Sequence, residues 1–303
     1  MRAGPDYIQF YPTLRCNRSC GFCFNRALPS RPDMSLPDFR LLLDRLPGTV
    51  TTLDILGGEP TLHGDIVSLI GMARGRGLQV NLSSNGTDSA VLQDIINAGS
   101  GVTIGISIND RKILAQVSGL IRTHKFIVKA VYSKSLNLRL INDILAAGPN
   151  CFYLLYRDAV TRADLAETVP FPDFMAAAAR IGSGRIGTVY CSGFLPDSQR
   201  YPELASVRCP AGTTKLGIMP DGSVYPCNLF FGRPGFLLGN LFADPFERIW
   251  RHRSLDFFRS PPPNRCTQTA CDFHGTCHGG CPAQALVLTG DLAGPDPRCS
   301  VRS

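Results

Sequence analysis

Six short β-rich runs alternate with helix-periodic segments between residue 7 and about residue 181, and this alternation limits the fold more than any other feature. The segments between the runs repeat apolar residues at helical spacing, as Ile66, Leu69, Ile70 and Ala73 do. Six βα units predict an α/β fold whose parallel sheet has right-handed crossovers. The predicted strands are YIQFY (7–11), TLDIL (52–56), QVNLS (79–83), VTIGIS (102–107), FIVKAVY (126–132) and FYLLY (152–156).

The length of this repeat excludes a complete eight-fold barrel, which needs roughly 250 residues. The sheet is therefore either open and doubly wound or curved into part of a barrel. In both architectures the loops that follow the strands build the active site.

The pattern changes after Gly182, where glycine, proline and cysteine become more frequent and helical periodicity fades. The segment KLGIMPDGSVYPC (215–227) is predicted to form a hairpin that turns at Asp221 and Gly222. We therefore expect two domains, a βα domain over residues 1–185 and a smaller cysteine-rich domain over residues 186–303.

The twelve cysteines are expected to be metal ligands rather than disulfide partners. The first residues carry no basic-then-apolar signal, and no run of eighteen apolar residues exists, so a cytoplasmic protein without a membrane partner is expected. The formal charge of +7 is spread over scattered arginines, so no nucleic-acid partner is indicated.

Three cysteines, Cys16, Cys20 and Cys23, follow the first predicted strand directly. Three thiolates can hold three irons of a [4Fe–4S] cluster and leave the fourth iron open. A zinc knuckle that borrows a distant fourth ligand is the alternative. GGEP (57–60) follows the second strand and SSNGT (83–87) the third, so all these motifs are expected at one face of the sheet.

The spacing C-x-x-x-C-x-aromatic-C after strand one, with GGEP after strand two, resembles the radical S-adenosylmethionine (SAM) superfamily. The resemblance covers roughly the first 180 residues and implies a partial (β/α)6 TIM-like barrel. It implies that the open iron binds the amino and carboxylate groups of SAM. An electron from the cluster then cleaves SAM to methionine and a 5′-deoxyadenosyl radical, which abstracts a substrate hydrogen.

The resemblance also implies a set of SAM-binding residues. The aromatic Phe22 is expected near the adenine, while Gly57 and Gly58 let the backbone approach the methionine moiety and Glu59 accepts from its ammonium group. Lys129 interrupts an apolar strand, and it either points inward to the SAM carboxylate or outward to solvent. The remaining candidates, for ribose and carboxylate contacts, are Ser84, Asn85 and Ser107.

The C-terminal cysteines resemble the seven-cysteine SPASM domain, which adds two auxiliary [4Fe–4S] clusters to radical SAM barrels. The family's connectivity implies a first cluster on Cys209, Cys227 and Cys281, and a second on Cys266, Cys271, Cys277 and Cys299. The first set is one ligand short, so Cys191 either completes it or the site stays open for substrate. Structural zinc aided by His274 and His278 is the alternative.

The resemblance implies an oxygen-sensitive enzyme that modifies a peptide or protein, of the kind that matures ribosomally made peptides (RiPPs). We expect an oxidoreductase that forms a cross-link or a dehydrogenated residue, with a flavodoxin- or ferredoxin-type electron donor. Because the first strand begins near residue 7, leader recognition is expected to fall to the barrel mouth, the module after residue 190 or a separate leader-binding protein.

Three other functions stay open at this point. A sulfatase-maturing enzyme would have an aspartate base after the second SPASM cysteine, where this chain has Asn228, which cannot take up a proton at neutral pH. The second alternative is a radical SAM dehydrogenase whose substrate is a small molecule, such as an aminocyclitol or a haem precursor. The non-enzymatic alternative is an iron–sulfur electron carrier or a zinc scaffold.

Overall fold

The structure is a computed structural model that describes residues 3–99, 101–181, 186–261 and 263–299. The strands of these residues are β1 (Tyr7–Phe10), β2 (Thr52–Ile55), β3 (Gln79–Ser84), β4 (Val102–Ser107), β5 (Ile127–Tyr132), β6 (Cys151–Tyr156), β7 (Ile186–Val189), β8 (Lys215–Ile218), β9 (Ser223–Tyr225) and β10 (Gly239–Asn240). The helices are α1 (Leu36–Arg45), α2 (Ile66–Gly75), α3 (Ser89–Asn97), α4 (Arg111–Thr123), α5 (Leu138–Ala146), α6 (Arg162–Ala166), α7 (Phe171–Ile181), α8 (Phe246–Trp250), α9 (Asp256–Arg259) and α10 (Pro282–Thr289).

The strands of the described residues form one mixed sheet in the order β10-β9-β8-β1-β2-β3-β4-β5-β6-β7. Strands β1 to β7 are parallel neighbours in chain order, with helices in the crossovers. All six predicted strands exist, and each end lies within one residue of its predicted position. The α/β fold with its parallel sheet is therefore confirmed.

The two faces of this sheet differ in polarity because alternate residues of a strand point to opposite faces. Ile8, Phe10, Leu53 and Ile55 of β1 and β2 are fully buried beneath the helices. The residues between them, such as Asp54, are only partly buried and polar. The apolar core thus lies between sheet and helices, and the other face is a polar interior.

The side chain of Lys129 shows that this polar face is concave. Its Nζ donates a hydrogen bond to Ser83 Oγ, although β5 and β3 are two strands apart, roughly 10 Å in a sheet. The lysine crosses β4 at Gly105, where an added β-carbon would lie 2.6 Å from Lys129 Cε. Lys129 therefore points inward, the first of the two orientations considered for it.

The C-terminal segment continues the same sheet. The predicted hairpin is present as β8 and β9, with Gly222 at a φ of +78° in the turn. Pairing of β8 parallel to β1, and of β7 parallel to β6, was not predicted. The predicted boundary after residue 185 adjoins residues 182–185, which lie outside the described residues, so the two-domain division stays a prediction.

Among the described residues, no helix is both long and apolar enough to cross a membrane.

Candidate functional site

The turn after β2 lies directly against the loop that carries Cys16, Cys20 and Cys23, which we call the cysteine loop (residues 13–26). Gly58 N donates to Thr13 O at 3.0 Å, and Glu59 N donates to Arg15 O at 2.7 Å. These two backbone bonds place the carboxyl ends of β1 and β2 side by side. The motifs that were expected at one face are therefore joined there.

Glycine is required at both positions of this turn. Gly57 has a φ of +139°, which L side chains rarely adopt, and an added β-carbon there would lie 2.6 Å from Thr13 O. A β-carbon on Gly58 would lie 2.1 Å from Arg15 O. In this structure the backbone of the two glycines approaches the cysteine loop closely, and its predicted approach to the methionine moiety stays a prediction.

Glu59 is buried, with 1% of its surface exposed, and its carboxylate is held by donors from two loops. Oε1 accepts from the Thr61 backbone N–H (3.1 Å), the Thr61 hydroxyl (2.7 Å) and Ser84 Oγ (2.8 Å). Oε2 accepts from Asn85 N at 2.6 Å. Oε1 thus accepts three of these four hydrogen bonds and Oε2 only one, so Oε2 is the less engaged oxygen.

Asn85 connects this network to the cysteine loop. Its side-chain amide donates to Asn17 Oδ1 at 2.9 Å and lies 3.9 Å from Cys16 Sγ. Its Oδ1 accepts from the backbone and hydroxyl of Thr87. Ser84 and Asn85, which were predicted to contact the ribose or carboxylate, thus orient Glu59 and the first cysteine in this structure.

Three arginines of the cysteine loop anchor it across the barrel mouth. Arg15 pairs with Asp33, Arg18 with Asp110 after β4, and Arg26 with both carboxylate oxygens of Asp164 after β6, at 2.6 Å each. Burial alone would raise the pKa of Asp164, but the Arg26 and Thr161 hydrogen bonds hold it below its ordinary value. These ion pairs were not predicted, because charged loop residues at such separations give no sequence signal.

The three thiols of the loop lie close enough to interact electrostatically, and burial raises the pKa values of Cys16 and Cys23. Cys16 is exposed, whereas Cys20 and Cys23 are partly buried. Phe22 is half-buried beside Cys23. The thiols are thus held near the surface of the mouth, where a cluster and a further ligand can reach them.

The barrel interior beneath this mouth contains buried charges. Tyr7 donates its hydroxyl proton to Asp54 Oδ2 at 2.5 Å, and burial raises the pKa of Asp54. Burial lowers the pKa of Lys129, while the charge of Asp54 opposes that shift. Ser107 pairs with Lys129 along the sheet and is half-buried at the end of β4.

Four cysteines from separate segments meet beside β8, and we call them the first C-terminal group: Cys191, Cys209, Cys227 and Cys281. The thiol of Cys191 interacts with those of Cys209 and Cys281, and its interaction with Cys209, together with burial, raises its pKa. Cys227 interacts with Cys281, and burial raises the pKa of Cys227 to about 11. The structure therefore brings Cys191 to the three cysteines that lacked a fourth partner.

A second C-terminal group also comes together, from Cys266, Cys271, Cys277 and Cys299. The thiols of Cys277 and Cys299 both interact with those of Cys266 and Cys271, and burial raises the pKa of Cys299 to about 12. Cys266 belongs to this group, although four residues separate it from Cys271. The two histidines of the zinc alternative bind backbone carbonyls, His274 that of Cys266 and His278 that of Val207.

Two buried arginines that the sequence did not single out hold these groups in place. Arg208 donates to five backbone carbonyls, among them those of Gly279 (2.7 Å) and Gly294 (2.6 Å), and no carboxylate pairs with it within the described residues. Arg298 pairs with Asp296 and Asp158, and Asp296 in turn accepts from Cys281 N at 3.0 Å. Each of these arginines directly precedes a cysteine, at 208–209 and 298–299, and this was the sequence signal that could have singled them out.

The three groups consist of thiols, which are the ligands of iron–sulfur clusters. Within the described ranges, no three histidine, cysteine, aspartate or glutamate side chains are arranged as ligands of one metal ion. A [4Fe–4S] cluster takes one thiolate per iron, so three or four thiols can hold it. Sets of three, four and four free thiols on fixed loops match that requirement.

Comparison with known proteins agrees with this geometry. Residues 10–169, over half of the chain, match the radical SAM superfamily. The chain belongs to that superfamily. Residues 209–281 match the SPASM family, described as an iron–sulfur cluster-binding domain. These families bring [4Fe–4S] clusters and SAM as cofactors.

Two kinds of relative resemble the whole chain of this radical SAM protein. The PqqA peptide cyclase of Streptomyces rochei is 27% identical and aligns with 95% of this chain and 87% of its own. The mycofactocin maturase MftC of Mycobacterium tuberculosis is 26% identical, over 97% of this chain and 83% of its own.

Solved structures share the fold at low identity. Streptococcus suis SuiB bound to the precursor peptide SuiA has a TM-score of 0.75 and 19% identity, covering 99% of this chain and 76% of its own. The anSMEcpe protein with bound AdoMet and the Cp18Cys peptide has a TM-score of 0.69 and 17% identity, covering 97% and 94%. The partial barrel with a cysteine-rich C-terminal domain is therefore confirmed as the fold.

A first prediction concerns the glycine turn. Gly58→Ala should displace the cysteine loop, because the added carbon overlaps Arg15 O, and the anaerobically reconstituted protein should lose about four irons, one cluster's content. Gly64→Ala is the matched control, since its β-carbon would meet nothing within 4 Å. Equal iron contents of Gly58→Ala and Gly64→Ala would contradict the role of Gly58 in positioning the cysteine loop.

Proposed function

We propose that the chain is a radical SAM/SPASM oxidoreductase that matures a ribosomally made peptide by an oxidative cross-link or dehydrogenation. The observation that carries the proposal is that one chain holds the cysteine loop against the GGEP turn and also brings together two further groups of four thiols. The relatives support the substrate class, because one is named a peptide cyclase and the other a maturase.

Cys16, Cys20 and Cys23 would hold the SAM-binding cluster, and Glu59 would accept from the SAM ammonium group through Oε2, its less engaged oxygen. Lys129, directed inward, is placed to attract the SAM carboxylate. We keep Phe22 as the neighbour of the adenine. Bound SAM and this cluster together supply a 5′-deoxyadenosyl radical when a flavodoxin- or ferredoxin-type donor provides an electron.

The first C-terminal group faces the barrel interior, which supports an oxidative outcome. Asn228, next to Cys227, donates its backbone N–H to Gln9 Oε1 at 3.2 Å, and Gln9 lies on the inner face of β1. A cross-link or double bond removes two hydrogens from the peptide. One would leave as a hydrogen atom to the radical, and the other as a proton to solvent and an electron, for which an auxiliary cluster would be the acceptor.

Asn228 stands at the position where a sulfatase-maturing enzyme would have its base, and its side-chain amide is hydrogen-bonded to another residue. Asn228 Nδ2 donates to Tyr11 Oη at 3.1 Å. Burial raises the pKa of Tyr11, so this phenol stays neutral and cannot serve as the base instead. This local chemistry favours peptide maturation over that alternative.

Glu59→Gln tests the ammonium contact. The variant removes the charge from a hydrogen bond worth about 1.5–3 kcal/mol, so SAM affinity should fall roughly ten- to a hundred-fold. The cluster's visible absorption should not change, and the exposed Glu167→Gln should bind SAM like the wild type. Isothermal titration calorimetry under anaerobic conditions measures the SAM affinity of each variant and of the wild type. Equal affinities of Glu59→Gln and the wild type would remove Glu59 from the SAM site.

Cys191→Ala tests the fourth ligand of the first C-terminal group. The reconstituted wild type should hold about twelve irons, four per cluster, and the variant about eight. Cys151→Ala is the control, because Cys151 lies on β6 and belongs to none of the three groups. Wild-type iron in Cys191→Ala would show that the site is open, as the rival interpretation holds.

The proposed function itself is tested by co-producing the protein with candidate precursor peptides and measuring their intact masses. The modified peptide should be about two mass units lighter, as expected when radical chemistry removes two hydrogens. The variant with Cys16, Cys20 and Cys23 all changed to Ala should leave every peptide unaltered. A product of unchanged mass would contradict the oxidative outcome.

A further inference from the structure

Lys215 lies on the inner face of the barrel, at the start of β8. Its backbone partner in β1 is Tyr7, whose hydroxyl binds Asp54 in the interior. Paired residues of neighbouring strands point to the same face, so the lysine shares this face with Tyr7. Its side chain is half-buried there, which excludes a lysine extended into bulk solvent.

The first C-terminal group surrounds this lysine. Cys209 precedes the turn in which Pro210 O accepts from Lys215 N at 3.0 Å. Two residues along the same face of β8, Gly217 has no side chain, and an added β-carbon would lie 3.0 Å from the carbonyl carbon of Cys227. The thiols of all four cysteines interact electrostatically with the lysine.

The charge of Lys215 is not neutralised by a direct carboxylate partner. Among the described residues its side chain forms no hydrogen bond or ion pair. Its positive charge acts only at longer range on Asp54 and Asp158, where it opposes the burial that raises their pKa values. Asp54 is already bonded to Tyr7, and Asp158 to Arg298. A lysine side chain has an ordinary pKa of about 10.4 and is an ammonium at neutral pH.

An ammonium beside a four-thiolate cluster has a defined physical effect. One-electron reduction adds one negative charge to the cluster, and net charge and burial are among the factors that set its reduction potential. Salt screens partly buried charges much less than exposed ones. The cation therefore stabilises the reduced form more than the oxidised form.

We infer that Lys215 raises the reduction potential of the cluster held by Cys191, Cys209, Cys227 and Cys281, so that this cluster accepts the electron left on the oxidised peptide. The inference rests on the proposed function, since it assigns a regulator to that same auxiliary site. The accepted electron would return to the flavodoxin- or ferredoxin-type partner.

The test is an EPR-monitored redox titration of the full-length protein carrying Ala at Cys16, Cys20 and Cys23, which should leave about eight irons. In this background Lys215→Met removes the charge with little change in shape. We expect one of the two auxiliary potentials to fall by at least about 59 mV, a tenfold lower ratio of reduced to oxidised cluster. The other potential should stay unchanged and serves as an internal reference.

Two further variants separate charge from structure. Lys215→Arg keeps the charge and should retain the parent potential, and Lys125→Met removes an exposed lysine and should change nothing. No shift in Lys215→Met, or the same shift in Lys215→Arg, would overturn the inference. Loss of four irons from both Lys215→Met and Lys215→Gln would overturn it too, because a residue that only sets the potential is not needed for assembly.

Failure of the proposed function gives a different result. If the parent with Lys215 intact holds about four irons rather than about eight, and Cys191→Ala in that background removes none of them, the first C-terminal group holds no cluster. That outcome overturns the auxiliary assignment before any lysine is changed.

Discussion

The carbonyl oxygen of Arg15 lies 2.1 Å from where a β-carbon of Gly58 would be, and the arrangement of the mouth depends on that contact. It allows the backbone of the GGEP turn to bond to the cysteine loop, and it delivers Glu59 between that loop and the SSNGT segment. The glycines thus act first on the protein itself. The cofactor site is a consequence of joining three strand ends through backbone and carboxylate hydrogen bonds.

The second organising feature is the polarity of the two sheet faces. The outer face is buried beneath helices, as ordinary parallel sheets are, whereas the inner face retains Asp54, Lys129 and Lys215. Burying a charged group costs free energy unless the group is paired, so such groups are expected mainly where they serve a function. These charges lie between the mouth that we propose to bind SAM and the first C-terminal group, where we propose that an electron leaves the substrate.

Much of the barrel could be predicted from local pattern, because strand alternation and helical periodicity are properties of neighbouring residues. The motifs after strands one to three were placed at one face by the same logic. The pairing of β8 with β1 was missed, since it joins residues about two hundred positions apart and leaves no local signal. The approach of Cys191 to Cys209 and Cys281 was left open for that reason.

The structural roles of charged residues were the least predictable. Arg208 and Arg298 look like surface residues in the sequence, yet both are buried and fix the loops that present Cys209, Cys281 and Cys299. Their partners are backbone carbonyls and distant carboxylates, which composition does not reveal. In the same way, no local pattern indicated that Asn85 is bonded to Glu59, Asn17 and Thr87, and its predicted ligand contact stays a prediction.

The central claim is that three thiols and a buried glutamate at this mouth bind SAM for reductive cleavage. The direct measurement is the release of 5′-deoxyadenosine when anaerobically reconstituted protein is mixed with dithionite and SAM, without peptide. We predict 5′-deoxyadenosine and methionine in equal amounts, and neither product from the protein with Ala at Cys16, Cys20 and Cys23. Iron-loaded wild type that binds SAM but releases no 5′-deoxyadenosine would contradict the account.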